Sequence, residues 1–87
     1  MTIQRINRKN IISHLLEFQL ALAGKKITDM MDAHNWRFEF TITNDQLGQF
    51  RNYSVPLLKK IFRFNKIKAE ETFEWFWKNF GLRIKNL

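Results

Sequence analysis

KIKAEETFEWFWKNFG, residues Lys66 to Gly81, is the stretch on which the fold turns. Wound at about 100° per residue, it sets Phe73, Phe76, Trp77 and Phe80 on one face, at i, i+3, i+4 and i+7. Trp75 lands nearly opposite, among Lys68, Glu71, Lys78 and Asn79. The spacing therefore predicts a helix over 66–80 with four rings turned inward and one turned out. Asn65 is placed to cap its start, and Gly81 with Leu82 to close its end as a Schellman motif, Leu82 folding back on Phe76 or Trp77.

Working back from there, Thr43-Asn44-Asp45-Gln46 has the hydroxyl and amide of a capping box. The stripe that follows is Leu47, Phe50, Ser54, Leu57, Leu58 and Ile61, and it holds its phase across Pro56. One long helix over 44–63, kinked near Pro56, is favoured over a second helix capped at Ser54. Phe64-Asn65 makes so short a turn that this helix and the last must pack as a hairpin or a corner.

Toward the N-terminus, Ile11, Ile12, Leu15, Leu16, Leu22 and Ala23 share a face, with Phe18 at its edge. That predicts a helix over 8–23, capped by Asn7, stapled by Ile6 and Ile11, and ended by Gly24. Thr28 can cap a short helix near 29–34 that carries Met30 and Met31. Residues 36–42, WRFEFTI, alternate with period two, which predicts an extended segment with Trp36, Phe38, Phe40 and Ile42 on one side. Its only partners for pairing are the tails Thr2–Ile6 and Leu82–Lys85, so an extended segment lying across the helices is favoured over a ribbon. The expectation is a mainly α chain: one helical domain spanning 1–87, built as a small bundle of three main helices.

Composition narrows the function classes. A hydrophobic fraction of 45% with 15% aromatics is enough to bury a core, so disorder is excluded. There is no cysteine, hence no disulfide framework and no thiolate metal site, which suits a reducing cytoplasm. Arg5, Arg8 and Lys9 before an apolar run ending in Ala21-Leu22-Ala23 have the outline of a secretory signal, but His14 and Glu17 interrupt the run and its apolar residues keep helical phase. Nothing approaches the roughly 18 apolar residues of a membrane span, and no membrane partner is expected.

Chemistry-bearing groups are sparse. Asp29-x-x-Asp32-x-His34 matches no established metal loop, and His14 sits alone at the edge of an apolar stripe. There is no nucleophile motif, phosphate loop or zinc spacing, so neither catalysis, a cofactor nor a metal is expected.

The net charge of +7 attracts anionic partners. Six basic residues and no acidic one lie between Gln46 and Ala69: Arg51, Lys59, Lys60, Arg63, Lys66 and Lys68. Two functions remain. The first is a non-enzymatic module that binds another protein through Trp75, Lys78 and Phe62, because tryptophan is enriched at binding hot spots. The alternative is a nucleic-acid-binding protein that tracks a phosphate backbone with those six cations, against which Glu70, Glu71 and Glu74 would push.

Overall fold

The computed structural model describes residues 5–85. Among them the elements run α1 (Ile11–Leu22), α2 (Ile27–Asp32), α3 (Trp36–Glu39), β1 (Thr41–Ile42), α4 (Asn44–Phe62), α5 (Lys66–Phe80) and β2 (Arg83–Ile84). The mainly helical architecture, with three main helices at α1, α4 and α5, is the one read from the sequence.

Local chemistry explains most boundaries. Thr43 and Gln46 form the reciprocal capping box that opens α4, at 2.8 and 3.1 Å. Asn65 Oδ1 accepts from the Lys68 amide at 2.8 Å to start α5. Asn7 Oδ1 accepts from the amides of Lys9 and Asn10 and so caps a turn over 8–10, whereas α1 itself opens at Ile11, three residues later than expected, with Asn10 and not Asn7 at its N-cap. Gly24, at φ 72°, ends α1 in a Schellman motif, Lys25 donating to the Leu20 carbonyl at 2.8 Å. The short helix begins at Ile27 instead of 29, because Asp29 Oδ2 takes the Lys26 amide at 2.8 Å and Lys26, not Thr28, is the capped residue. α4 continues through Pro56, which cannot donate to the Asn52 carbonyl. Both residues lie on the exposed side, where water can replace the lost bond.

The core joins α1, α4 and α5 through Ile11, Leu15, Phe50, Leu58, Ala69, Phe73 and Phe76, all buried. Phe50 is its hub. Its ring meets Phe73 and Phe76 edge-on at 5.3 and 5.7 Å, the arrangement aromatic quadrupoles prefer. Ser54 is buried in the same stripe, and its hydroxyl has no hydrogen-bond partner. An unpaired buried hydroxyl destabilises. Ser54→Ala is therefore expected to raise stability by about 1 kcal/mol, and thermal denaturation would show it as a Tm about 4–8 °C higher. A lower Tm would mean that the hydroxyl is bonded after all.

Two expectations are overturned. Residues 36–42 are not one extended segment: Trp36–Glu39 form a helical turn and only Thr41–Ile42 is extended. That short stretch pairs in parallel with Arg83–Ile84, so the ribbon judged less favourable is the one that forms. The cause is visible in the packing. Trp36 and Phe40, four apart, both lie against a second cluster of Leu20, Ile42 and Leu82, while Phe38 is 70% exposed. A four-residue interval suits a helix as well as a strand, and burial chose the helix. The second correction concerns Gly81, which is extended (φ −68°, ψ 145°) and so closes no Schellman motif. Here glycine is needed for space: a Cβ would collide with the Trp77 carbonyl oxygen and lie 2.6 Å from its ring.

Side chains from elsewhere finish α5 instead. Gln19, buried on α1, donates from Nε2 to the Phe80 carbonyl at 2.9 Å, and its Oε1 accepts from the Leu82 amide at 3.1 Å. Arg37 of α3 donates to the carbonyls of Gly81 and Lys78 at 3.0 and 3.1 Å. A helix C-terminus carries partial negative charge, so the guanidinium is well placed there. Leu82 thus folds back into a cluster with Leu20 and Ile42, against which Trp77, one of its two expected partners, also packs.

Candidate nucleic-acid interface

The six cations predicted to form one stripe are divided among three environments. Arg51 is held by Glu74 at 2.7 Å and lies 5.1 Å from the centre of the Phe73 ring. Lys66 stands 4.0 Å from Glu70, and with Arg51, Asn52, Val55 and Pro56 these residues line a groove of about 340 Å³ between α4 and α5. Lys68 lies 5.9 Å over the Phe64 ring. Lys59, Lys60 and Arg63 are exposed at the end of α4. Of the three carboxylates that would repel a backbone, Glu74 and Glu70 therefore sit against Arg51 and Lys66.

Lys60 and Arg63 instead face residues that the sequence reading assigned no binding role. A groove of about 820 Å³ runs between the segment Arg5–Arg8 and the end of α4, lined by Arg5, Ile6, Arg8, Leu57, Lys60 and Arg63, with Asn7 and Ile61. Four of these are cations and none is a carboxylate. The segment is fixed by side-chain amides. Asn10 Nδ2 donates to the Arg5 carbonyl at 2.8 Å, and the Asn7 amide donates to Asn10 Oδ1 at 2.8 Å. Arg8 Nε donates to the Ile61 carbonyl at 3.4 Å in the last turn of α4, and the same guanidinium lies 5.9 Å from the centre of the Phe62 ring. That bond uses one of its five donors.

Arg63 has a backbone feature of its own. At φ 58° and ψ 36° it is left-handed, and among the described residues it is the one non-glycine with positive φ. Glycine is the usual occupant of this helix-ending position, because any Cβ there costs about 1–2 kcal/mol. The chain holds an arginine where a glycine fits more easily.

The residues proposed for protein contact are not gathered in one place. Trp75 is 50% exposed, its ring edge-on to Phe80 at 5.9 Å, with Lys78 exposed on the same helix. Phe62 is half-buried at the other end of the hairpin, stacked on Phe64 at 5.1 Å. Trp75 lies nine residues beyond Lys66, roughly 13 Å along the helix axis from the end that Phe62 occupies.

His14 shares a short hydrogen bond with the Tyr53 hydroxyl across α1 and α4. His34 is exposed, and Asp29 is occupied in the cap described above. Among the described residues no group of three or more His, Asp and Glu is placed to hold a metal ion. No helix among them is long and apolar enough to cross a membrane.

Arg5 and Arg8 were visible in the sequence only as cations before an apolar run, and weighed as a targeting signal. What the sequence hid was the return of α4 to lie beside them, a contact 53 residues apart along the chain. Comparison of the chain with protein-family models, with curated proteins and with solved structures found no match.

Proposed function

We propose that this chain is a non-enzymatic binding protein whose partner is nucleic acid, held at the groove between Arg5–Arg8 and the end of α4. The supporting observation is the convergence of Arg5, Arg8, Lys60 and Arg63 on one groove with no carboxylate in its lining. Cations so grouped release counterions from a phosphate backbone, which supplies affinity without base recognition. Arg63 adds weight because a strained backbone that survives where glycine would be easier points to use of the side chain. The cysteine-free composition is in keeping with a reducing compartment such as the cytoplasm.

The test separates stability from binding. Arg63→Gly is expected to raise stability by about 1 kcal/mol, since the left-handed strain disappears. The same change is expected to weaken binding of a labelled oligonucleotide severalfold at low salt, as one phosphate contact is lost. Tighter or unchanged binding would remove Arg63 from the interface.

A second reading, protein binding through α5, draws on Trp75. A half-exposed ring held edge-on by Phe80 and flanked by Lys78 suits a hot spot, being rigid, large and partly desolvated before contact. Trp75→Ala in the oligonucleotide titration distinguishes the two. Unchanged affinity keeps the ring free for a protein partner, whereas a loss as large as that from Arg63→Gly would move the nucleic-acid site onto α5.

A further inference from the structure

From the lining of the groove we infer that its ligand is a single strand, with bases laid on an apolar floor and phosphates on the cationic rims. The inference rests on the nucleic-acid reading above and adds the strandedness of the ligand. Arg5, Arg8, Lys60 and Arg63 are exposed, whereas Ile6, Leu57 and Ile61 of the same groove are half-buried apolar side chains. A site for duplex needs only the first group. Duplex keeps its bases stacked inside and presents phosphate and sugar, which would leave uncovered the groove-facing parts of these three side chains, whose other faces pack on the core. Unpaired bases have free faces and apolar edges, and single-strand sites combine a basic track with apolar or aromatic surface on which bases rest. The size agrees: about 820 Å³ falls within the roughly 300–1,000 Å³ of small-ligand sites, room for a short run of nucleotides.

The two rims differ in a way that suits a flexible strand. On one side Arg8 is tethered by the Ile61 carbonyl and the Phe62 ring, and the backbone beneath Arg5 is pinned by Asn10. On the other, Lys60 is exposed in the last turn of α4 and Arg63 is exposed just past it, where the left-handed residue ends the helix. A strand lying between them meets cations on both sides while its bases point to the floor.

The experiment is a fluorescence-anisotropy titration of the full chain at low salt, using a labelled twelve-nucleotide oligothymidine and a labelled twelve-base-pair duplex. Inorganic polyphosphate serves as an unlabelled competitor carrying charge without bases. The expected result is at least tenfold tighter binding of the single strand than of the duplex, with polyphosphate displacing it only at a large excess of phosphate. Equal or tighter binding of the duplex overturns the single-strand inference and leaves the nucleic-acid reading standing. So does displacement by polyphosphate at matched phosphate concentration, which would mean that the floor contributes nothing. Failure of both oligonucleotides to bind removes the nucleic-acid reading itself.

Discussion

Gln19→Leu is expected to lower the stability of this protein by roughly 2–6 kcal/mol, a Tm depressed by about 8 °C or more in thermal denaturation. Leucine matches glutamine closely in volume, so packing is nearly conserved and the effect isolates hydrogen bonding. The native amide satisfies two backbone groups at the end of α5, the Phe80 carbonyl and the Leu82 amide, in a site where Gln19 is wholly buried. Without it both groups lose their partners, at about 1–3 kcal/mol each. The consequence is not confined to α1. Leu82 precedes β2, and β2 holds Thr41–Ile42, so loosening this junction also releases the second core cluster of Leu20, Ile42 and Leu82. A loss below about 1 kcal/mol would mean that water or a shifted backbone replaces the amide, and that Gln19 is not what closes α5.

The sequence carries the helices because each is specified locally. Thr43 with Gln46, Asn65 and Gly24 act within a few residues of themselves, and the stripes around Phe50 and Phe73 need only a 3.6-residue period to be seen. Gln19 was hidden for the opposite reason. It stands on the apolar face of α1 at Ile11, Leu15 and Gln19 spacing, where a lone polar residue has no evident partner until α5 arrives 61 residues later. The middle segment misled because Trp36 and Phe40 satisfy periods of two and of four alike. Phe38 then decides by being exposed, as a helical turn requires and a strand packed along one face does not allow.

The candidate site was legible by half. Lys60 and Arg63 stood out as basic residues on one helical face, and both line the groove. Arg51 looked the same in sequence but is drawn to Glu74, a contact that depends on how α4 lies against α5, whereas Lys66 stands near Glu70 one turn along the same helix. Counting charges cannot separate a cation paired across a hairpin from one that opens onto solvent. Surface pairs of this kind are worth little for stability, on the order of 0–1 kcal/mol, yet they bring carboxylates beside those cations and so make them poorer places for a phosphate.

The most direct test of the central claim is the salt dependence of single-strand binding, measured on the native chain and on the triple variant Arg8→Gln, Lys60→Gln, Arg63→Gln. Each phosphate neutralised on a single strand contributes about 0.7 to the slope of log affinity against log salt. Loss of three such contacts is expected to make the slope shallower by about 2 and to weaken binding at low salt on the order of a hundredfold. All three positions are exposed, so circular dichroism should find the helices intact. A slope lower by about 2, with the fold preserved, is the result expected if the groove is where the phosphates sit. An unchanged slope in a folded variant would contradict the account, placing the polyanion on some other surface or on none.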